Sequence, residues 1–247
     1  MQAMLFAAGL GTRLQPLTNS KPKALVEING KSLLERSLEN LKSQGISDVV
    51  INVHHYSDQL IDFLKQHNHF EMNIQISDES DELLDTGGGI LNAGPLFNPE
   101  DPILILNVDV LTNLSFRELL YFHQHEKALA TLVVRSRETS RYLLFDGKRQ
   151  LTGWKNKQTG ATKISRPEQF PQSTPYAFSG IQIIQPDLLK QIREQGKFSV
   201  IDLYLRLAKT EVIKAFVDEE SVWMDLGKYE QMGEAERLVK QLEQDSK

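Results

Sequence analysis

A glycine-containing loop with a local excess of positive charge lies near the start of the sequence. Residues 1–26 hold three Lys or Arg, including Arg13 and Lys23, but no Asp or Glu, whereas the whole chain carries 33 acids against 28 bases. Gly9 and Gly11 follow a short apolar run that predicts a buried strand. Backbone N–H groups in such a turn can converge on an anion, and glycine lets the backbone approach it. The segment therefore indicates a phosphate loop, although a plain turn remains the simpler interpretation of Gly-x-Gly alone.

Two common phosphate loops do not match this segment. A Walker A loop needs Gly-Lys-Ser/Thr four residues after its first glycine, and the chain has none there. The dinucleotide fingerprint needs a third glycine where Leu14 stands. The residues alone thus leave the kind of phosphate loop open.

A candidate metal ligand follows a later apolar run. Asp109 comes just after Ile103–Leu106, whose continuous apolar character predicts a strand covered on both faces. Open α/β sheets place ligands at the carboxyl ends of such strands, and a carboxylate there suits Mg²⁺ that bridges phosphates. The alternative is an aspartate that caps the loop before Ser115.

Three consecutive glycines form a second candidate binding segment. Residues Asp85–Gly89 precede a predicted helix over 90–96. The missing Cβ atoms would permit close approach of a flat base or a ribose. A tight loop at the start of a helix is the alternative interpretation.

Composition excludes several other classes of protein. The chain has 247 residues and no cysteine, which excludes thiolate catalysis and Cys-ligated zinc. Its net charge of −5 disfavours binding to the phosphate backbone of nucleic acid. Its six histidines form no metal-binding pattern. No run approaches the 18–20 apolar residues of a membrane span, and Met4–Ala8 is too short for a signal sequence. We therefore expect a cytoplasmic protein without a membrane or nucleic-acid partner.

Hydrophobic periodicity predicts the elements that must position these residues. Strands alternate with amphipathic helices over the first half, which predicts parallel βαβ units. The predicted strands there are 3–8, 49–53, 73–76 and 103–106, with helices opening at the caps Ser32, Ser57 and Ser115. The second half predicts hairpins from 130–134, 142–145 and 151–154, a loop over 158–172, strands 176–184 and 212–216, and helices from 186, 199 and 228. We expect an α/β fold with a mostly parallel twisted sheet, flanked by helices, and a small β insertion.

Four separated motifs together carry a family resemblance. They are Ala7–Thr18 with Lys21–Leu25, Asp85–Gly89, Asn107–Asp109 and Trp223–Gly227. In this combination the sequence resembles the sugar-1-phosphate nucleotidylyltransferases over essentially its whole length. The resemblance implies a Rossmann-like fold of the nucleotide-diphospho-sugar transferase type in a single domain, residues 1–247, with a nucleotide-binding half (1–128) and a sugar-binding half (129–247). It also predicts no appended β-helix acyltransferase domain.

The resemblance implies a role for each matching residue. Arg13 would contact the β and γ phosphates, Lys23 would bridge the α-phosphate and the sugar phosphate, and both are catalytic. Asp109 and Asp225 would hold Mg²⁺. The implied nucleotide-binding residues are Ala8, Gly9, Gly11, Thr12, Arg13, Asp85, Gly87, Gly88 and Asn107. Val108 departs from the glycine of many relatives, so the backbone before Asp109 can differ.

The sugar side matches the family less closely. Phe178–Ile181 resembles a segment that packs on the sugar, which implies a contact at Gly180. Trp154 and Lys155 lie near a Glu-Lys pair of some relatives, but the glutamate is missing, which leaves Lys155 or Lys157 as the contact to the sugar phosphate. Trp154 could equally be a core residue.

The expected reaction joins a nucleoside triphosphate to a sugar 1-phosphate and releases pyrophosphate. The sequence is similar to uridylyltransferases for N-acetylmuramic acid 1-phosphate, a cell-wall precursor, and next to guanylyltransferases for mannose or heptose 1-phosphate. A phosphocholine-type cytidylyltransferase and a non-catalytic sugar-nucleotide sensor remain alternatives. The base, the sugar and the oligomer, monomer or homodimer, stay open.

Overall fold

One continuous ten-stranded sheet forms the centre of the computed structural model, which describes residues 1–245. The strands are β1 (Gln2–Phe6), β2 (Glu27–Ile28), β3 (Lys31–Ser32), β4 (Asp48–Val53), β5 (Asn73–Asp78), β6 (Ile103–Asn107), β7 (Val110–Thr112), β8 (Ala130–Arg135), β9 (Arg141–Phe145), β10 (Leu151–Asn156), β11 (Thr162–Ile164), β12 (Thr174–Ile184), β13 (Ile213–Val217) and β14 (Trp223–Asp225). The helices are α1 (Leu33–Ser43), α2 (Ser57–Gln66), α3 (Asp85–Ala93), α4 (Phe116–His125), α5 (Val200–Leu207) and α6 (Met232–Asp245).

The central part of the sheet is mostly parallel. Its strand order is β5-β4-β1-β6-β12-β8-β13, and β12 alone runs against its two neighbours. The pairs β5/β4, β4/β1, β1/β6 and β8/β13 are all parallel. A small antiparallel unit of β9, β10 and β11 branches from the first half of β12. The predicted α/β class, mostly parallel sheet and β insertion are confirmed.

Helices cover both faces of the sheet. Alternate residues of β1 face two separate apolar clusters: Ala3 and Leu5 lie in one, and Met4 lies in the other. Helices α1, α2, α4 and α6 pack into the first cluster, and α3 and α5 pack into the second. Burial of each large aliphatic side chain contributes roughly 1.5–3 kcal/mol, so the two clusters fix the sheet from both sides.

Two predicted helix caps are present and one is absent. Ser32 Oγ accepts a hydrogen bond from Glu35 N, and Ser115 Oγ accepts one from Glu118 N. Ser57 is instead the first residue of α2, because Tyr56 precedes it in a left-handed conformation with φ of 59°. The Tyr56 hydroxyl donates to the Asn19 carbonyl, which fixes the chain entry.

Several predicted elements are different in the structure. Strand β8 does not form a hairpin with β9; it lies in the central sheet between β12 and β13, where its residues are buried. The segment from Pro186 forms a 3₁₀ turn, and the last helix begins at Met232 rather than at Lys228. The loop over 158–172 contains the short edge strand β11. No helix within residues 1–245 combines the length and apolar composition needed to cross a membrane.

Candidate active site

A buried polar pair fixes the start of the first loop. Asn52 Oδ1 accepts hydrogen bonds from the backbone N–H groups of Ala7 (2.8 Å) and Ala8 (3.3 Å). The Asn52 amide donates to Glu79 Oε1 at 2.7 Å, and Glu79 Oε2 accepts from Leu84 N at 3.2 Å. Burial raises the pKa of Glu79, and the hydrogen bonds from Asn52 and Leu84 oppose that shift. The pair therefore connects the first loop to the entry of α3.

The next amides of this loop remain free to bind an anion. The backbone N–H groups of Gly9, Leu10, Gly11 and Thr12 donate no hydrogen bond to any group within residues 1–245. Gly11 has φ of +64°, and a Cβ there would lie 3.0 Å from side-chain carbons of both Thr18 and Lys23. Glycine is thus required at this turn, and successive free N–H groups form an anion-binding concavity.

A lysine and an aspartate that are 86 residues apart in sequence form an ion pair in the structure. Lys23 Nζ donates to Asp109 Oδ2, and the two side chains are 13% and 15% exposed. Lys23 begins a short 3₁₀ turn after Pro22, and Asp109 follows the carboxyl end of β6. This contact joins two of the motifs on which the family resemblance depends.

A two-stranded ladder brings the second aspartate to the first. Strands β7 and β14 pair antiparallel, with Asp225 opposite Val110, and Leu226 N donates to the Asp109 carbonyl at 2.9 Å. Both carboxylates are partly exposed. Within residues 1–245 no group of three or more His, Asp or Glu could hold a metal ion. Two hard oxygen ligands fit Mg²⁺, which takes one or two carboxylates plus phosphate oxygens and water.

Arg13 lies beside the same segment. A Cβ at Gly227 would be 3.7 Å from both terminal nitrogens of Arg13, so the guanidinium packs against the backbone two residues after Asp225. Arg13 is exposed, and its guanidinium has no hydrogen-bond or ion-pair partner within residues 1–245. Its planar group of donors is available for bidentate phosphate binding.

Lys23, Asp109 and the start of the first loop line a cavity of about 390 Å³, whereas Gly11, Thr12, Arg13 and Asp225 are not part of its lining. Its lining includes several sequence-predicted residues: Ala8, Gly9, Lys23, Asp85, Asn107 and Asp109. It also includes Asn52, Glu79 and Lys197, which the sequence analysis did not identify. Asn52 lies within β4 and Glu79 directly follows β5, and no local sequence signal marks either residue. Lys197 lies in the loop before α5, and only the packing of that loop against α3 brings it here.

The three glycines lie inside a helix, not in the loop that the sequence predicts. A Cβ at Gly88 would lie 2.4 Å from the Gly196 carbonyl oxygen, and one at Gly87 would lie 2.3 Å from the Phe198 ring. Gly87 N also donates to the Phe198 carbonyl at 2.9 Å. The glycines therefore permit close packing of α3 against residues 196–198, while Asp85 and Thr86 line the cavity. Contacts of Gly87 and Gly88 with a nucleotide stay a prediction.

The predicted sugar-side residues are in different environments. Gly180 has φ of +74° in a bulge of β12, and a Cβ there would lie 2.7 Å from Asn107 Nδ2. Trp154 packs against the second apolar cluster, and its strand neighbour Lys155 is exposed on the other face of the sheet. Lys157 is paired with Glu138 at 3.0 Å. Gly180 is thus next to the cavity residue Asn107, and the sugar contacts of Trp154 and Lys155 stay predictions.

Comparisons with known proteins assign this arrangement to a family. The family model described as nucleotidyl transferase matches residues 2–241. The chain belongs to the nucleotidyl transferase family. It is 31% identical over 235 residues to the N-acetylmuramate alpha-1-phosphate uridylyltransferase of Caulobacter vibrioides, covering 91% of each chain.

Other relatives and a solved structure agree with the family. The chain is 32% identical over 234 residues to the mannose-1-phosphate guanyltransferase of Yarrowia lipolytica, covering 92% of this chain but 61% of that longer relative. The structure of HddC from Yersinia pseudotuberculosis complexed with GMP-PN has a TM-score of 0.75 at 23% identity, covering 96% of this chain and 98% of that one. This last likeness shows the fold. The chain is therefore a nucleotidyltransferase of the sugar-1-phosphate type.

Proposed function

We propose that this nucleotidyltransferase transfers a uridylyl group from UTP to N-acetylmuramic acid 1-phosphate and releases pyrophosphate. The similarity to the Caulobacter vibrioides uridylyltransferase over 91% of both chains supports this substrate pair. The observation that carries the reaction class is the meeting of Lys23, Asp109 and Asp225 beside a loop of free amides. Guanylyl transfer to mannose 1-phosphate is the second candidate, which the similarity to mannose-1-phosphate guanyltransferases supports.

The proposed reaction needs no general base. The second pKa of a phosphate monoester is about 6, so the attacking oxygen of the sugar phosphate is largely ionised at neutral pH. This oxygen forms a bond to the α-phosphorus, and the bond from that phosphorus to the bridging oxygen breaks. Pyrophosphate leaves with the electron pair. The main barrier is electrostatic, since two unit charges 4 Å apart repel by about 4 kcal/mol at an effective dielectric of 20.

The residues of the chain lower this repulsion. The amides of Gly9–Thr12 would bind phosphate oxygens, Arg13 would hold the departing pyrophosphate, and Lys23 would lie between the two reacting phosphates. Asp109 and Asp225 would hold Mg²⁺, which supplies charge neutralisation to phosphate oxygens when it is bound. The ion pair with Asp109 already fixes the Lys23 ammonium at this position.

A substrate matrix tests the proposal. Purified protein is mixed, in the presence of Mg²⁺, with one of five nucleoside triphosphates: UTP, GTP, CTP, dTTP or ATP. Each mixture also receives the 1-phosphate of N-acetylmuramic acid, N-acetylglucosamine, mannose or glucose, and pyrophosphate release is measured. We expect the highest kcat/KM for UTP with N-acetylmuramic acid 1-phosphate. Highest activity with GTP and mannose 1-phosphate would establish the second candidate instead, and no pyrophosphate from any pair would refute both.

A further inference from the structure

An arginine that the reaction chemistry above does not use contacts Phe178 and Trp223, each in a segment that carries the family resemblance. Arg137 follows β8 by two residues, and its Nη2 donates to the Phe178 carbonyl at 3.0 Å. Its guanidinium carbon lies 4.6 Å from the centroid of the Trp223 ring. Trp223 is in β14, two residues before Asp225, and its indole N–H donates to the Ser179 carbonyl at 2.9 Å. Arg137 thus contacts the two segments that lead to Gly180 and to Asp225.

Most of the hydrogen-bonding capacity of Arg137 is unfilled. A guanidinium carries five N–H donors. The Nε of Arg137 is buried and has no hydrogen-bond partner, and no carboxylate within residues 1–245 lies within 4.0 Å of this guanidinium. A buried donor without a partner costs free energy, so the site favours an additional acceptor.

Arg135, the last residue of β8, shows what an arginine paired with a carboxylate looks like in this protein. Arg135 Nη2 forms an ion pair with Asp218 at 2.9 Å and also donates to Ser221 Oγ at 3.1 Å. That guanidinium therefore fixes the loop between β13 and β14. Arg137 has no such carboxylate partner, which indicates that its partner lies outside the described chain.

The electrostatic surroundings favour an anionic partner. Burial lowers the pKa of Arg137, and attraction to the Asp225 carboxylate opposes that shift. The titratable groups that face it are the Asp225 carboxylate, the Arg135 guanidinium and the neutral Tyr142 phenol. An arginine side chain keeps its charge in proteins, and a partly desolvated guanidinium prefers planar or tetrahedral oxyanions.

We propose that Arg137 binds an anionic oxygen group of the acceptor substrate through its Nε and free Nη donors, and that it is thereby a specificity-determining residue. The group is either the 1-phosphate or a carboxylate substituent of the sugar, because both present the same oxyanion geometry to a guanidinium. The inference rests on the proposed function, since it assigns the acceptor side of the same site.

Acceptor kinetics distinguish the two sources of the anion. We expect Arg137→Gln to raise KM for the acceptor about ten- to hundredfold and to leave KM for the nucleoside triphosphate unchanged, as loss of a charged hydrogen bond predicts. If the anion is the phosphate, KM rises for N-acetylmuramic and N-acetylglucosamine 1-phosphates alike. If it is the sugar carboxylate, KM rises only for N-acetylmuramic acid 1-phosphate, because N-acetylglucosamine carries no carboxylate. Arg137→Lys should restore part of the affinity.

Arg135→Lys is the matched control. It should lower the melting temperature, because it disturbs the pair with Asp218, and it should leave KM for the acceptor unchanged. If Arg137 had only a structural role, Arg137→Gln would likewise lower the melting temperature and leave KM for the acceptor unchanged. An acceptor KM that does not change in Arg137→Gln would therefore overturn the proposal, even if that variant is less stable.

Tryptophan fluorescence provides a readout that does not depend on turnover. The chain has two tryptophans, so in a Trp154→Phe background the emission reports on Trp223, against which Arg137 stacks. Titration with N-acetylmuramic acid 1-phosphate should change this emission, and Arg137→Gln should weaken that response about tenfold or more. Mannose 1-phosphate and inorganic phosphate should give an Arg137-dependent response only if the bound anion is the phosphate, because neither carries a carboxylate. Equal titration curves with and without Arg137 would overturn the proposal. Failure of the proposed function would show instead as no pyrophosphate from the unmodified protein.

Discussion

At the scale of single residues, charge placement explains the site. Lys23 and Asp109 form an ion pair with little solvent exposure. Asp225 lies opposite Val110, the residue after Asp109, in the β7/β14 ladder. The Arg13 guanidinium packs against the backbone at Gly227, two residues after Asp225. The Lys23 ammonium, together with a Mg²⁺ ion that the two carboxylates would hold, could neutralise phosphates without a proton-transfer residue. The proposed reaction would therefore rely on positioning and electrostatics, which agrees with the absence of cysteine and of a metal-binding histidine pattern in the sequence.

Removal of either carboxylate charge should abolish most of the activity. Asp109→Asn and Asp225→Asn keep the side-chain shape but remove a hard anionic ligand, so we expect kcat to fall about 10²–10³-fold. The Mg²⁺ concentration for half-maximal activity should rise, as measured by pyrophosphate release over a metal titration. Asp62→Asn, at a side chain that is 64% exposed, is the control and should be inert. Wild-type turnover in either site variant would remove the metal assignment.

A buried histidine should make the protein sensitive to mild acid. Burial lowers the pKa of His123 from 6.5 to about 4. Gln185 Nε2 donates to its Nε2 and Thr131 Oγ1 contacts its Nδ1, so the hydrogen-bond network assigns a neutral ring. The unfolded chain binds the extra proton in the range between the two pKa values. The contribution of neutral His123 to the free energy of unfolding is thus fully present above about pH 6.5, and the free energy of unfolding decreases by up to about 3 kcal/mol as the pH falls toward 4.

Urea unfolding from pH 7.5 to 4.5 measures this effect. His123→Phe should be less stable at pH 7, because Thr131 and Gln185 lose their partner, but its free energy of unfolding should change less with pH. His125 lies on the same helix with its side chain 70% exposed, so His125→Phe should keep the slope of the unmodified protein. An unaltered slope in His123→Phe would contradict the assignment.

The residues of the motifs can be singled out from the sequence, but the residues that hydrogen-bond to the first loop and hold it in place cannot. Arg13, Lys23, Asp109 and Asp225 can be singled out because each lies in one of the motifs that carry the family resemblance, and their roles stay predictions. Asn52 and Glu79 have no local signal, since Asn52 contacts Ala7 and Ala8 from 45 and 44 residues away. Such long-range hydrogen bonds depend on strand register, and sequence patterns do not specify register across different strand pairs.

At the scale of elements, close packing overrides local propensity. Glycine costs about 1 kcal/mol in a helix interior relative to alanine, so three in a row predict a loop. Yet α3 begins at Asp85 and contains all three, because residues 196–198 lie too close to Gly87 and Gly88 for a Cβ, and Glu79 Oε1 lies too close to Gly89. The predicted hairpin between β8 and β9 is wrong because a short apolar run predicts a strand but not its neighbours. The observed neighbours of β8 are β12 and β13.

Two glycine-to-alanine changes in helices should have opposite signs. Gly88→Ala places a Cβ 2.4 Å from the Gly196 carbonyl oxygen, whereas Gly233→Ala in α6 meets nothing within 4 Å. We expect the first to destabilise by about 1–3 kcal/mol through overpacking. We expect the second to stabilise by up to about 1 kcal/mol through lower unfolded-chain entropy.

The same Gly88→Ala variant should also bind nucleotide less well. The helix α3 presents Asp85 and Thr86 to the cavity, so a shift of α3 moves the cavity wall. KM for the nucleoside triphosphate should rise in Gly88→Ala and remain unchanged in Gly233→Ala, as measured by initial rates. Stabilisation by both substitutions would show that α3 does not depend on close packing.

At the scale of the whole molecule, the two halves expected from sequence are physically interlaced. Strand β6 of residues 1–128 pairs with β12 of residues 129–247 within one sheet. The last helix returns to the first half, where Asn29 Nδ2 donates to the Glu236 carbonyl at 2.9 Å and Arg36 pairs with Glu243 at 2.9 Å. Asp109 and Asp225 belong to different halves, so the site exists only when both are folded.

This interlacing predicts one cooperative unfolding transition. Neither half can separate without exposing the β6/β12 pairing and the shared apolar cluster, so calorimetry and far-UV circular dichroism should give the same single midpoint. A nucleoside triphosphate with Mg²⁺ at 100 times its Kd adds about 2.7 kcal/mol of stability. For a chain of this size that is a rise of about 5–10 °C in Tm. Because the candidate site draws Asp109 from one half and Asp225 from the other, a bound ligand should move the whole transition. Two transitions, of which the ligand moves only one, would show instead that the nucleotide-binding half folds and binds by itself.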